Sequence, residues 1–192
     1  MSWLKFSRSS NSEQIYIILI LGLAGDGKST FINAATGKQQ AATSKNLKPC
    51  TTSVKDFVYK RSSSKFVFID TPGLDLDEGK DVDTSVERIL ARYKRSYVDA
   101  IIYLHQSTRK VITRPPEPSS VVTKFQTLCG PDWQSRTILA VMGGTADTAR
   151  LQAALQAIYF SGMKVAPFTI SVQGGGDAWN VLNQVITVKE TI

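Results

Sequence analysis

Gly22-Leu23-Ala24-Gly25-Asp26-Gly27-Lys28-Ser29 is a complete G-x-x-x-x-G-K-[ST] phosphate loop, and it restricts the fold of this chain more than any other feature. Such a loop works only between a buried strand and the first turn of a helix. Both flanks are present: Ile15-Tyr16-Ile17-Ile18-Leu19-Ile20-Leu21 is an unbroken apolar run suited to a buried parallel strand, and Thr30-Phe31-Ile32-Asn33-Ala34-Ala35 fits the start of a helix. Gly22 and Gly27 let the chain curl so that successive N–H groups, from Ala24, Gly25 and Asp26 through Thr30, point at a β-phosphate. Lys28 is placed to reach the β- and γ-phosphates, and the Ser29 hydroxyl to ligate Mg2+.

The remaining pattern alternates strand and helix, with no internal repeat and no long linker. Expected strands are 14–21, 54–60, 65–70, 98–104, 137–142 and 165–171; expected helices are 28–37, 82–94, 119–129, 147–160 and 177–188. Only Arg61-Ser62-Ser63-Ser64 separates the second and third strands, which predicts an antiparallel hairpin. The other connections imply crossovers, hence a mainly parallel sheet with helices on both faces. The expected fold is α/β and three-layered, a six-stranded, mostly parallel sheet flanked by about five helices. Ligands of such sheets sit at the carboxyl ends of the strands. Two long polar segments, 38–53 and 106–118, interrupt the rhythm on that side. Residues 14–192 are expected to form one domain, and 1–13 a flexible lead-in that is too weakly apolar to be a signal peptide.

A short apolar strand, Lys65-Phe66-Val67-Phe68-Ile69, ends in Asp70-Thr71-Pro72-Gly73. An acid at such a strand tip beside a phosphate loop can hold Mg2+ through a water, and Gly73 can offer its N–H to a γ-phosphate without a Cβ in the way. Upstream, Cys50-Thr51-Thr52-Ser53-Val54 precedes the second strand; Thr51 is the first choice for a hydroxyl that closes over Mg2+ and the γ-phosphate, and Thr52 the alternative. The helix at 82–94 carries Val82, Val86, Ile89, Leu90 and Tyr93 at helical spacing, with Arg88, Arg92 and Lys94 on its other side.

The formal charge of +7 comes from 23 Lys and Arg against 16 Asp and Glu. The basic clusters at 88–95 and 109–114 are compatible with an anionic membrane surface, but nothing else in the sequence supports one. No aromatic interleaving marks a nucleic-acid track, so no nucleic-acid partner is expected. Cys50 and Cys129 are too few and too far apart for a zinc site or a disulfide framework; they fit a reducing, cytoplasmic setting, with peripheral membrane attachment left open.

The combined motifs (Gly22 to Ser29, Phe31-Ile32-Asn33, Cys50-Thr51 with Val54, and Asp70-Thr71-Pro72-Gly73-Leu74) resemble those of the small G-protein superfamily. They look closest to the septin-related, or paraseptin, GTPases, a group that includes the chloroplast outer-envelope import receptors and the immunity-associated nucleotide-binding proteins. Within that group the chain is most similar to the fungal AIG-type G-domain proteins. Val98-Asp99-Ala100-Ile101-Ile102-Tyr103-Leu104-His105 is similar to the group's fourth strand, and Asp177-Ala178-Trp179-Asn180-Val181-Leu182 to its last-helix signature. The resemblance implies GTP or GDP with Mg2+ as ligands, hydrolysis of GTP, and a homodimer formed across the nucleotide face.

Departures from the superfamily pattern shape the expected activity. Guanine is read there by [NT]-K-x-D; here the run is Gly144-Thr145-Ala146-Asp147, so Asp147 falls at the specificity acid and Gly144 replaces Asn or Thr. Asp147 is equally suited to cap a helix. The last base-contacting loop, near Ser171 to Gly175, matches poorly, and modest affinity follows. Leu74 stands where small G proteins carry the water-orienting Gln, so intrinsic hydrolysis should be slow. The resemblance places Arg109 as an arginine that meets a partner's phosphates, with a solvated loop charge as the alternative. His105, the only histidine, is either a packing residue or a nucleotide contact. Two functions remain: a slow GTPase switch or scaffold using Lys28, Thr51, Gly73 and Arg109, and a non-hydrolysing module whose loops are ordered by nucleotide. A kinase-like enzyme is disfavoured by the Asp70-Thr71-Pro72-Gly73 turn.

Overall fold

The apolar run of the first strand is buried on both faces because it lies at the centre of the sheet. In the computed structural model, which describes residues 13–41, 43, 51–74, 82–106, 118–142, 164–168 and 176–191, β1 (Gln14–Leu21) pairs in parallel with two neighbours. On one side runs β3 (Ser64–Asp70), in register from Gln14↔Ser64 to Ile20↔Asp70; on the other runs β4 (Ala100–Gln106), from Ile18↔Ala100 to Leu21↔Tyr103. Residues Ile17 to Leu21 are accordingly fully buried.

The predicted hairpin is present: β2 (Lys55–Arg61) is antiparallel to β3, with Ser62 at a left-handed φ of 52° in the turn. On the other flank, β5 (Thr137–Met142) and β6 (Lys164–Phe168) continue the parallel set. The sheet order is β2-β3-β1-β4-β5-β6. Pro167, which has no N–H to donate, lies in β6 at the edge of the sheet, where a proline is tolerated.

Side-chain alternation divides the core into two layers. Ile17, Leu19, Leu21, Val67, Ile69, Ile101, Tyr103, Leu139 and Val141 face α2 (Val82–Arg92), α3 (Pro118–Cys129) and α4 (Trp133–Arg136). Tyr16, Ile18, Ile20, Phe66, Phe68, Ile102, Leu104 and Ala140 face α1 (Lys28–Thr36) and α5 (Gly176–Thr191). This is the three-layer α/β arrangement expected from the sequence.

Several elements differ from the reading by spacing alone. The fourth strand begins at Ala100 and not at 98; just before it, the Asp99 N–H donates to the Ile17 carbonyl and the Asp99 carboxylate accepts the Ile17 N–H, both at 2.8 Å, so a side chain takes the N–H that a strand carbonyl would otherwise accept. The short α4 fills the gap before β5: Trp133 is buried against Phe125, and its carbonyl accepts the Thr137 hydroxyl at 2.7 Å. The helix expected at 147–160, and the strand expected to run on to 171, lie wholly or partly outside the described residues.

Trp179 of α5 joins three elements. Its Nε1 donates to the Ala35 carbonyl at the end of α1 (3.0 Å), its ring meets Phe66 edge-on with centroids 5.1 Å apart, and the Arg61 guanidinium lies 3.9 Å over it. The signature quoted from α5 is therefore a packing device, binding α1 and the β2–β3 hairpin to the last helix.

Candidate nucleotide site

The phosphate loop leaves β1 at the point where the sheet order reverses, with β3 on one side and β4 on the other. Gly22 has φ 147°, and a Cβ built there would lie 2.5 Å from the Leu104 carbonyl oxygen; the loop passes too close to β4 for any side chain. Gly27 is left-handed (φ 85°, ψ 20°) and caps α1 without a side-chain bond, leaving the first N–H groups of that helix to a ligand.

Inside the loop, Leu23 is held from both ends. Its N–H donates to Asp26 Oδ2 at 2.9 Å, and its carbonyl accepts from the Asp26 N–H at 3.2 Å and from Lys28 Nζ at 2.9 Å. Lys28 also donates to the Gly22 carbonyl at 3.2 Å and is only 6 % exposed. The ammonium expected to reach outward for phosphate thus rests on the loop's own carbonyls. Thr30 and Ala24 are half-buried, and Gly25 is exposed at the tip.

Ser29, Thr51 and Asp70, proposed from three separate stretches, come together. The Ser29 hydroxyl donates to Asp70 Oδ2 at 2.9 Å and the Thr51 hydroxyl at 3.0 Å, and the two hydroxyl oxygens are 3.3 Å apart. Thr52 is exposed, so Thr51 is the threonine at this corner. Asp70 Oδ1 is buried without a hydrogen-bond partner among the described residues. Burial raises the Asp70 carboxyl above its ordinary value, against the opposing pull of the Ser29 and Thr51 bonds and of the Lys28 and Lys55 charges. Two hydroxyls and a desolvated carboxylate with an unsatisfied oxygen fit a small hard divalent cation.

After Asp70 the chain stays tied to the phosphate loop. Thr71 Oγ1 donates to the Ile20 carbonyl (2.9 Å), and the Leu74 N–H to the Gly22 carbonyl (3.2 Å). Gly73 is buried between them, and the Leu74 side chain packs against the α2-side core. His105 is buried at the end of β4, which supports its packing alternative. Arg88, Lys94 and Arg95 are exposed, and Arg92 pairs with Asp56 at 2.8 Å. Arg109, Gly144 and Asp147, with the loop near Gln173, lie outside the described residues.

One residue of the motif set has a positioning role that the sequence reading did not assign. Asn33 of α1 donates to the Ala41 carbonyl and accepts the Ala41 N–H, both at 2.9 Å, and so seats Ala41 in the core. Asn33 is marked in the sequence by its place in Phe31-Ile32-Asn33 and by being an Asn inside a helix, where the residue is a poor helix former.

A parallel sheet with a phosphate loop at its switch point, and a neighbouring strand that ends in a buried acid paired with the loop's serine, defines a P-loop nucleotide-binding domain. The model of the family described as 50S ribosome-binding GTPase matches residues 17–129, and the chain belongs to that family. It is therefore a GTP-binding G domain.

Solved structures share the fold. Toc33 from Arabidopsis thaliana, as a dimerisation-deficient mutant, superposes with a TM-score of 0.70 at 17% identity, covering 93% of this chain and 85% of that one. Toc33 in complex with Mg2+ and GMPPNP gives 0.65 at 19% identity over the same shares. The G domain of the T. maritima FeoB iron transporter gives 0.55 at 19%, covering 92% of this chain and 99% of that one.

Proposed function

We propose that this chain binds GTP and GDP with Mg2+ and hydrolyses GTP slowly to GDP and phosphate, as a nucleotide-dependent switch or scaffold activated by dimerisation across the nucleotide face. The observation that carries the reading is the convergence of Ser29 and Thr51 on Asp70, whose second oxygen is buried without a partner among the described residues. Ser29, Thr51 and Asp70 would hold Mg2+, which when bound neutralises charge on the phosphate oxygens. Lys28 would exchange the Gly22 and Leu23 carbonyls for phosphate oxygens, and the Gly73 N–H would meet the γ-phosphate. The loop N–H groups outside the Leu23–Asp26 bond pair, on to Thr30, would take the remaining phosphate oxygens, while Gly144 and Asp147 would border and read the base.

Slow hydrolysis follows from Leu74, whose side chain packs into the core and cannot orient water. Arg109 of a second copy would supply the missing positive charge, an effect typically worth about 10³–10⁵ in rate. Similar proteins lend support: one solved structure concerns the importance of dimerisation for the GTPase activity of the chloroplast translocon components atToc33 and psToc159. The finer placement, a septin-related GTPase of the fungal AIG type, rests on Asp70-Thr71-Pro72-Gly73-Leu74 and on the stretches from Val98 to His105 and Asp177 to Leu182, a single domain over 14–192 on the unbroken strand–helix rhythm, and a cytoplasmic setting on the two widely separated cysteines. Among the described residues no helix is long and apolar enough to cross a membrane.

GTP turnover measured against protein concentration tests the proposal. Specific activity should rise with concentration and lose that rise in Arg109→Ala, while Ser29→Asn should weaken Mg2+–GTP binding more than GDP binding. A flat background rate would refute hydrolysis and favour the second reading, a nucleotide-ordered binding module, which Leu74 also supports.

A further inference from the structure

The phosphate loop contains a side chain that its consensus does not require. Asp26 occupies a variable position of the motif, yet it is fully buried, and its carboxylate lies on the protein side of the loop. Oδ2 accepts the Leu23 N–H at 2.9 Å, while the Asp26 N–H donates to the Leu23 carbonyl at 3.2 Å. These two bonds run in opposite directions between the same two residues and close Leu23-Ala24-Gly25-Asp26 into a turn. Lys28 adds a third contact, to the same Leu23 carbonyl. Leu23 is buried as well, so without Asp26 its N–H would lose its acceptor away from water.

We infer that Asp26 is a positioning residue which holds the phosphate loop in its binding curvature before any nucleotide arrives. The loop is then a preorganised cradle, and the ordering cost is met during folding and not during binding. In its ionised form the same carboxylate puts a negative charge at the N-terminus of α1, where the helix attracts an incoming phosphate. Asp26 therefore does two opposing things: its acceptor shapes the site, and its charge weakens the site's attraction for anions. The second effect rests on the nucleotide reading above; the first does not.

The two are separated with Asp26→Asn, which keeps an acceptor oxygen and removes the charge, and Asp26→Ala, which removes both. Amide hydrogen exchange on the nucleotide-free wild-type protein should show the Leu23 N–H protected; Asp26→Asn should keep that protection and Asp26→Ala should lose it. Calorimetric titration with GDP and GMP should then show Asp26→Ala about tenfold weaker for GDP, the size of one hydrogen bond to a charged group, with GMP unchanged. Asp26→Asn should bind GDP at least as tightly as wild type. An unprotected Leu23 amide in the wild-type protein would overturn the inference whatever the variants do. So would an Asp26→Ala protein with wild-type GDP affinity, or one that loses GDP and GMP equally, which would indicate general damage. Failure of the wild-type protein to bind GDP with Leu23 protected would sink the nucleotide reading and leave the preformed loop standing.

Discussion

Replacing Trp179 by Phe tests whether the α5 signature is a packing device. Phenylalanine keeps an aromatic ring against Phe66 but cannot donate to the Ala35 carbonyl and gives Arg61 a weaker face. The lost hydrogen bond contributes about 1 kcal/mol net. A cation–π contact at an exposed site contributes about 0.5–1 kcal/mol, of which phenylalanine retains part. The expected loss for Trp179→Phe is therefore about 1.5 kcal/mol, or about 3–6 °C in Tm for a chain of this size. Trp179→Ala also removes the edge contact to Phe66 and the apolar area. It should cost about 3 kcal/mol, the low end for a tryptophan because Trp179 is only half-buried. Urea unfolding followed by far-ultraviolet circular dichroism gives these values, provided the slope with denaturant is unchanged between variants. The Arg61→Ala/Trp179→Phe double-mutant cycle should return a coupling of about 0.5 kcal/mol. A Trp179→Phe protein within about 0.5 kcal/mol of wild type, or a coupling of zero, would refute the argument that this tryptophan joins α1 and the hairpin to α5.

Other perturbations have equally definite outcomes. Gly22→Ala forces a Cβ to within 2.5 Å of the Leu104 carbonyl oxygen, a backbone atom that cannot swing away, at a φ of 147°; a loss of about 2–4 kcal/mol is expected by thermal melting, with weakened nucleotide binding in calorimetry. Cys129 is buried, and desolvation pushes its thiol from an ordinary 9.0 up to about 12. The folded state therefore holds that proton more tightly than the unfolded state. The stability this contributes is complete below pH 9.0 and is lost as pH rises toward about 12, a slope that Cys129→Ala should remove from alkaline unfolding curves. The same burial predicts that iodoacetamide at neutral pH labels Cys129 only in denaturant, read by peptide mass spectrometry. Lys94 ends α2 in a left-handed conformation (φ 54°), with Arg95 N–H bonded to the Leu90 carbonyl; Lys94→Gly should raise stability by about 0.5–1 kcal/mol in urea unfolding.

What was legible in the sequence was local or periodic. Gly22 to Ser29 follows an apolar run and opens a helix, and each part of that pattern is contiguous. The hairpin could be read from the short gap between two strands, and the core face of α2 from its spacing. Ser29, Thr51 and Asp70 were each identified alone, by residue type at a strand or helix end. Other features stayed hidden because they depend on which groups meet across long stretches of chain. Asp99 bonds Ile17, 82 positions away, just before β4 begins, and Trp179 reaches Ala35 across 144. Neither spacing has a periodic signature. Asn33 pairing with Ala41 spans only 8 positions, but it joins a helix to an irregular segment, and no pattern rule links the two.

By itself the sequence determined the ligand chemistry and the class of fold. A strand–glycine loop–helix unit has few ways to bury its apolar strand, and its N–H groups and lysine suit phosphate whatever surrounds them. The tertiary structure alone decided how that chemistry is held. It brought Thr51 and Ser29 onto one oxygen of Asp70 and buried the other, laid Lys28 against the Gly22 and Leu23 carbonyls, and turned Asp26 inward to brace the loop. Those outcomes depend on distance, burial and competition for hydrogen-bond partners, and none of these exists until the sheet has brought its carboxyl edge together.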